Sequence, residues 1–115
     1  MAKLIYLCSP YRGDVKYNTQ MAMLIGREIA MRGMVPVIPH LYLPMLLNDD
    51  DKSERGLGLD AALALLQHCD EMWVYDDNLP PTNGMAQELA EASTRYMPVK
   101  RVIVRGAVVI VPVDK

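Results

Sequence analysis

The chain has 115 residues, 51% of them hydrophobic, and a net charge of -2 at pH 7. This length suits one domain with its own core, and we expect residues 1–115 to form it. The charge and the acidic run at 49–51 argue against a nucleic-acid partner. No apolar stretch reaches the roughly 20 residues of a membrane span, and the run at 4–8 is too short for a signal peptide. We therefore expect a cytoplasmic protein without a membrane partner.

The hydrophobic pattern predicts strands and helices that alternate along the chain. Short apolar runs predict strands at 3–8, 34–38, 71–75, 99–104 and 107–111. Helical spacing predicts helices at 14–32, 44–47, 57–68 and 84–96. Such alternation is typical of an α/β fold, with a mainly parallel sheet of four or five strands and helices on both faces.

Local signals refine three of these elements. Asp14 is a candidate N-cap of the first helix and Gly33 a candidate stop. Pro36 indicates that the second strand lies at a sheet edge or ends near this residue, because proline cannot donate to the ladder. The polar stretch at 48–58 is expected to be mobile. The inward stripe of the first helix is predicted from Ala22, Ile25, Ile29 and Ala30.

Cys8 and Cys69 are the two cysteines of the chain. Both adjoin apolar segments, so we interpret them as small buried residues in a reducing compartment. A catalytic thiol at Cys8 is the alternative. Histidine, cysteine and acidic residues do not cluster at metal-ligand spacing, so we predict no metal and no other cofactor.

The loop after the first strand contains Ser9, Pro10, Tyr11, Arg12 and Gly13. It is neither a dinucleotide fingerprint nor a Walker A loop, because it has one glycine and no Gly-Lys-Ser/Thr. It does offer a hydroxyl, a guanidinium and backbone amides at a helix N-terminus, which are suitable donors for an anion. A solvated arginine in an ordinary turn is the alternative.

A second loop opens the last helix with Thr82, Gly84 and Met85, and Glu88 follows one turn in. Loops after parallel strands lie where ligands bind in open α/β sheets. Glycosidic bond cleavage needs a carboxylate as nucleophile or as stabiliser of a cationic sugar. The helix dipole alone also favours an acidic residue at such a position.

Other side chains have both a functional and a structural interpretation. The Tyr6 hydroxyl can orient a nearby carboxylate, and the ring can equally be a core aromatic. His40 can contact a ligand or serve structure alone. Asp60 lies on a helix as a candidate acid or as surface charge. Asp70 is expected to anchor a helix end, and Trp73 to lie in the core.

Five segments together resemble the nucleoside 2-deoxyribosyltransferase-like superfamily, in particular its small bacterial and phage branch. The similarity covers nearly the whole chain in order. The segments are 5–13 (Ile-Tyr-Leu-Cys-Ser-Pro-Tyr-Arg-Gly), 36–41 (Pro-Val-Ile-Pro-His-Leu), 54–59 (Glu-Arg-Gly-Leu-Gly-Leu), 69–74 (Cys-Asp-Glu-Met-Trp-Val) and 84–88 (Gly-Met-Ala-Gln-Glu).

The resemblance implies a flavodoxin-like or Rossmann-like three-layer fold and a homodimer or larger homo-oligomer. It also implies 2-deoxyribosyl transfer, or N-glycosidic hydrolysis of nucleoside 5′-monophosphates. Glu88 would be the nucleophile, Tyr6 would orient it, and Asp60 is the best match for the acid that handles the base. Ser9 and Arg12 would bind a 5′-phosphate.

Two comparisons with the superfamily pattern bear on the substrate. The transferases carry an aspartate where this chain has Thr82, and the monophosphate hydrolases carry a serine there. The hydroxyl of Thr82 therefore favours a phosphorylated ligand. We place the substrate contacts at residues 9–13, His40, Thr82, Gly84 and Met85.

Three functions remain open at the level of sequence. The first is N-glycosidic cleavage or 2-deoxyribosyl transfer on a nucleoside or nucleotide. The second is a non-catalytic module that binds or senses a nucleotide or sugar nucleotide. The third is an interaction protein that kept only the fold. A Tyr6–Glu88 contact at about 3 Å would favour the first, since a binding module has no need of it.

Overall fold

The computed structural model describes residues 2–112, which form a five-stranded sheet covered by helices on both faces. The strands are β1 (Leu4–Cys8), β2 (Val35–Val37), β3 (Glu71–Tyr75), β4 (Val99–Arg105) and β5 (Val108–Ile110). The helices are α1 (Val15–Met31), α2 (Leu43–Leu46), α3 (Lys52–Leu66) and α4 (Asn83–Thr94), with a 3₁₀ turn at Pro39–Leu41.

The strand order is β2-β1-β3-β4-β5. The first four strands are mutually parallel, and β5 pairs antiparallel with β4. A tight turn at Gly106, whose φ is 63°, makes this last hairpin possible because glycine adopts that conformation without steric cost. The predicted three-layer α/β fold with a mainly parallel sheet is confirmed.

Strand β2 lies at one edge of the sheet, as Pro36 indicates. Pro36 pairs with Ile5 in the register of β1. An edge strand has a partner on one side only, so a residue without an N–H can be accommodated there.

Central strand β1 divides the core into two layers. Ile5 and Leu7 pack in one buried cluster with the inner face of α1. Tyr6 and Cys8 pack in the other, with buried residues of α3 and α4. All four are fully buried, as expected from the alternation of side chains along a strand that is covered on both faces.

Helix α1 begins and ends as the sequence predicts. The Asp14 side chain accepts a hydrogen bond from the Tyr17 amide at 3.1 Å, and Gly33 follows the helix with φ of 80°. The predicted stripe is wrong at Ala30, which is exposed. At about 100° of rotation per residue, Ala30 lies beyond the edge of the stripe. The buried residues are Ala22, Ile25, Gly26 and Ile29.

Helix α3 begins five residues earlier than predicted, at Lys52 rather than at 57. Asp51 caps it, and its carboxylate accepts hydrogen bonds from the amides of Ser53 at 2.9 Å and Glu54 at 3.1 Å. The polar stretch at 48–58 therefore consists of a turn, the cap Asp51 and about the first two turns of α3. Its polarity reflects capping chemistry, because Asp and Ser satisfy the free amides at a helix start.

Polar anchors lie at the amino ends of the central strands. The Asp70 carboxylate accepts a hydrogen bond from the Leu4 amide at 2.7 Å. Glu71 is buried, accepts from the Trp73 indole at 3.0 Å, and lies 3.2 Å from the Lys100 ammonium group. Trp73 is buried in the core, as predicted. These contacts lie at the amino ends of the strands, opposite the end at which ligands bind in parallel α/β folds.

Truncation of one α1 side chain checks this core. Ile25 on α1 is fully buried where this helix packs against the sheet. Ile25→Ala should therefore lower the free energy of unfolding by about 2–5 kcal/mol. Met23 on the same helix is 59% exposed, and Met23→Ala should change it by less than about 0.5 kcal/mol. Urea denaturation measures both, and equal losses would contradict the assigned helix face.

Candidate functional site

A cavity of 630 Å³ lies at the carboxyl ends of the central strands. The chain leaves β1 toward β2 on one side and later returns to β3 on the other side. This reversal separates the loops that follow β1 and β3 and opens a crevice between them, which is the usual ligand site of such sheets. The loop after β1, the turn after β2, helix α3 and the start of α4 line it.

A hydrogen bond from the Tyr6 hydroxyl to Glu88 Oε2 links β1 to α4 beside this cavity. Tyr6 is fully buried, and the alternation of β1 turns its ring toward α4. Glu88 lines the cavity. The tyrosine therefore fixes one carboxylate oxygen from the protein side while the carboxylate remains accessible to a ligand.

Burial raises the pKa of Glu88 to about 7, although the hydrogen bond from Tyr6 and the nearby Cys8 thiol lower it. The ionised form loses more hydration energy than these donors return. The pKa of Tyr6 is raised well above its ordinary value, mainly by burial and also by the Glu88 charge. Tyr6 is thus a permanent donor, and Glu88 is the group that titrates near neutrality.

Cys8 follows the structural interpretation. It is fully buried, and its thiol donates to the Met85 carbonyl oxygen at 3.8 Å. Burial and the neighbouring Glu88 raise its pKa far above that of a free thiol. A thiol held in its neutral form is a poor nucleophile, so the geometry does not favour the catalytic alternative.

Ser9 and His40 meet at the cavity wall, where Ser9 Oγ lies 3.0 Å from His40 Nε2. Both line the cavity, and Ser9 is buried. Burial lowers the pKa of His40 to about 4, so the ring is neutral at physiological pH. The Tyr11 ring lies 6.1 Å from the His40 ring, between centroids. Ser9 and His40 therefore offer a ligand polar groups that carry no formal charge.

Arg12 is ion-paired with Asp49. Its Nη1 donates to Asp49 Oδ2 and to the Asp49 carbonyl oxygen, each at 2.8 Å. The main chain beneath it is held by Asn18, whose Nδ2 donates to the carbonyl oxygens of Tyr11 at 3.2 Å and Arg12 at 3.1 Å. The guanidinium predicted to bind an anion thus has a carboxylate of the protein as its partner.

Thr82 caps helix α4, and its hydroxyl oxygen accepts a hydrogen bond from the Met85 amide at 3.2 Å. Thr82, Gly84 and Met85 all line the cavity. A Cβ added at Gly84 would meet no atom within 4 Å, so this glycine leaves space at the cavity wall. The cap fixes the first turn of α4 and so sets the direction from which Glu88 faces the cavity.

The predicted site residues divide into two groups. Those outside the main cavity lining are Tyr6, which reaches it through Glu88, and Pro10, Gly13 and Asp60. Asp60 is exposed on α3, so the geometry gives no support to its assignment as the acid that handles the base. Gly13 lines a smaller neighbouring cavity of 390 Å³. Those that line the main cavity are Ser9, Tyr11, Arg12, His40, Thr82, Gly84, Met85 and Glu88.

Three charged residues at the start of α3 line the cavity without having been predicted. They are Lys52, Glu54 and Arg55, and Asp49 precedes them in the same wall. The signal was present in the capping pattern, since Asp51 followed by Glu54 is typical of a helix start. A predicted helix start at residue 52 would have indicated that this charged turn lies near the loop that follows β1.

Within residues 2–112, no group of three or more His, Cys, Asp and Glu side chains is placed to hold a metal ion. The helices of this same part of the chain are all too short or too polar to cross a membrane.

A family model described as "Domain of unknown function (DUF7768)" matches residues 3–102. The chain belongs to this family. The match includes β1 through most of β4 and so spans both loops of the cavity. No curated protein matches the sequence of this DUF7768 member.

Two solved structures are similar to the chain in fold. One is the 2-deoxyribosyltransferase of the psychrotolerant bacterium Bacillus psychrosaccharolyticus, with a TM-score of 0.69, 17% identity, and coverage of 90% of this chain and 74% of that one. The other is the 2-deoxyribosyltransferase of Leishmania mexicana, with a TM-score of 0.66, 15% identity, and coverage of 90% and 65%. The chain thus has a nucleoside 2-deoxyribosyltransferase-like fold.

The raised pKa of Glu88 predicts a pH-dependent effect on stability. The folded chain keeps the Glu88 proton up to about pH 7, whereas the unfolded chain releases it near 4.5. Folding stability contributed by this group therefore falls as pH rises from 4.5 through 7. Glu88→Gln removes the ionisation and should raise the free energy of unfolding at pH 8 by about 1–3 kcal/mol, with a smaller gain at pH 5.

Chemical denaturation at the two pH values measures this gain. The matched control is Glu91→Gln, one turn further along α4, where the carboxylate is ion-paired with Arg95 at 2.6 Å near the surface. That variant should show no stabilisation at pH 8. A Glu88→Gln variant with the same change in stability at pH 5 and pH 8 would contradict the buried, titrating carboxylate.

Proposed function

We propose that this chain cleaves the N-glycosidic bond of a nucleoside or nucleoside 5′-monophosphate, or transfers the 2-deoxyribosyl group, with Glu88 as the nucleophile. The observation that carries the proposal is the hydrogen bond between Tyr6 and Glu88 at the cavity wall. A binding module has no need of a half-buried carboxylate held by a buried tyrosine, and the burial of that carboxylate costs free energy. The fold shared with two 2-deoxyribosyltransferases supports the same function.

The proposed chemistry begins with the ionised form of Glu88. As the bond from the anomeric carbon to the base breaks, positive charge develops on the sugar. The free oxygen of Glu88 attacks that carbon and forms a glycosyl ester, and the bonding electrons leave with the base. Water or a second base then attacks the same carbon and loses a proton, while the bond from that carbon to the Glu88 oxygen breaks and the carboxylate is regenerated. The departed base takes up one proton from solvent, so the protons balance. Tyr6 keeps its proton throughout and orients the carboxylate.

The same cavity has groups suited to the rest of the ligand. Ser9, His40 and Arg12 offer hydroxyl, imidazole and guanidinium contacts to a sugar hydroxyl or a 5′-phosphate. Glu54 and Asp49 are the other carboxylates in the lining, besides Glu88. Asp60 is not among them, so we base the proposal on the nucleophile and on the binding groups rather than on an acid for the leaving base.

We also propose a homodimer or larger homo-oligomer. The cavity is open, and a small domain rarely encloses a sugar by itself. Apolar side chains lie exposed on α2 and α3, the helices beside the cavity; Met45 is 84%, Leu46 72% and Leu57 59% exposed. Such exposed apolar groups are suitable contacts for a second copy.

Substitution of Glu88 tests the mechanism directly. Incubation with a panel of 2-deoxynucleosides and their 5′-monophosphates, with and without an acceptor base, should release free base. Glu88→Gln and Glu88→Ala should lower the rate by about 10³-fold or more, because neither side chain forms the ester. Tyr6→Phe should lower it by about tenfold, because it removes one hydrogen bond to a charged group.

Two controls accompany this assay. Glu91→Gln should keep the wild-type rate, and wild-type protein quenched during turnover should carry a deoxyribosyl or phosphodeoxyribosyl adduct on Glu88, detectable by mass spectrometry. Full turnover by Glu88→Gln would end the mechanism. Failure of the wild type on every substrate would favour the non-catalytic nucleotide-binding alternative.

The pH dependence of the reaction provides an independent check. Because only the carboxylate attacks, kcat/KM should rise with pH and level off above an apparent pKa near 7 in the free enzyme. The hydrogen bond from Tyr6 lowers the pKa of Glu88, so Tyr6→Phe should move this limb to higher pH. A limb near 4.5 in the wild type would contradict a buried nucleophile.

A further inference from the structure

The Arg12–Asp49 ion pair connects two walls of the cavity. Arg12 belongs to the loop between β1 and α1, and Asp49 to the turn between α2 and α3. Both residues line the cavity of 630 Å³ and also the neighbouring cavity of 390 Å³. The pair therefore lies where an anionic group at the cavity mouth would meet the guanidinium.

The turn that carries Asp49 is held by its own hydrogen bonds. The Asn48 amide donates to Glu54 Oε1 at 3.0 Å, and the Asp50 amide donates to Asn48 Oδ1 at 3.0 Å. Asp51, two residues after Asp49, caps α3. With its turn fixed in this way, the Asp49 carboxylate is presented to Arg12 without a further ordering cost from the main chain.

The Asp49 carboxylate occupies one of the guanidinium donors that a phosphate could use. Asp49 accepts from Arg12 Nη1 through Oδ2 and through its main-chain oxygen. The side chains remain 52% exposed for Arg12 and 30% exposed for Asp49, and ion pairs this exposed are weak. A phosphate offers more charge and more acceptor oxygens than one carboxylate, so it can displace Asp49 at a cost.

We propose that Asp49 is a specificity-determining residue, which competes with the phosphate of a ligand for Arg12 and so lowers the affinity for phosphorylated relative to unphosphorylated ligands. The proposal rests on the proposed function for its ligand class, a nucleoside or nucleotide. It concerns binding alone and involves no step of the reaction.

Calorimetric titration with inorganic phosphate and with 2-deoxyribose 5-phosphate tests the competition without depending on the base. Asp49→Asn keeps the size of the side chain and removes its charge. It should tighten binding of both probes by about 3- to 10-fold. Asp50→Asn is the matched control, since Asp50 is the exposed neighbour, carries the same charge and makes no contact with Arg12 among the hydrogen bonds and ion pairs of residues 2–112.

A double-mutant cycle separates competition for Arg12 from a general change in charge. In an Arg12→Ala background, Asp49→Asn should leave the affinity for both probes unchanged within about 1.5-fold. The Arg12→Ala substitution alone should weaken binding of both probes relative to wild type.

Three results would overturn the proposal. They are equal effects of Asp49→Asn and Asp50→Asn, a gain by Asp49→Asn that persists without Arg12, and a lack of phosphate binding by Asp49→Asn. The cleavage assay is separate from these titrations. A chain that cleaves no deoxynucleoside but shows the Asp49 effect would refute the catalytic function and support the competition. A chain that cleaves deoxynucleosides without the Asp49 effect would support the catalytic function and refute the competition.

Discussion

Strand β1 is the part of the structure on which the rest depends. It lies between β2 and β3, and its last four side chains are fully buried in both layers of the core. Ile5 and Leu7 hold α1 against one face, while Tyr6 and Cys8 pack toward α3 and α4 on the other. A shift of this strand by one residue would exchange the two sets, which removes both the core packing and the contact with Glu88.

The contact between Tyr6 and Glu88 illustrates how the arrangement of a site can lower the stability of the folded chain. Burial of a carboxyl group costs free energy when the group ionises, and the raised pKa of Glu88 expresses that cost. The tyrosine returns part of it through one hydrogen bond. A protein selected for stability alone would place a neutral side chain here, whereas the nucleophilic role that we propose for Glu88 requires its charge.

The cavity also joins two kinds of polar group with different roles. Near Ser9 and His40 the groups are neutral, because burial lowers the pKa of the imidazole to about 4. At the mouth, Arg12 and Asp49 are charged and partly exposed, so their attraction is weakened by solvent. A ligand that spans both parts would have its uncharged portion near the inner wall and any anionic portion at the mouth.

Much of the fold follows from the sequence by itself. Alternating strand and helix patterns determine the α/β class, Asp14 and Gly33 bound α1, and Pro36 indicates an edge strand. These features depend on local chemistry, which is readable without knowledge of the partner elements. The prediction was wrong at the start of α3, because the polar residues of a helix cap resemble those of a loop. It was also wrong at Ala30, which lies beyond the buried stripe of α1.

The candidate site depends more on the tertiary structure than the fold class does. Sequence indicates the loops that carry Ser9 and Thr82 and the position of Glu88 within α4, because parallel strands end at one edge of the sheet. Only the tertiary structure decides that Tyr6 reaches Glu88, that Asp60 lies outside the cavity lining, and that Asp49 meets Arg12. These depend on the packing of helices against the sheet, which joins residues up to 82 positions apart, and no local pattern encodes such a contact.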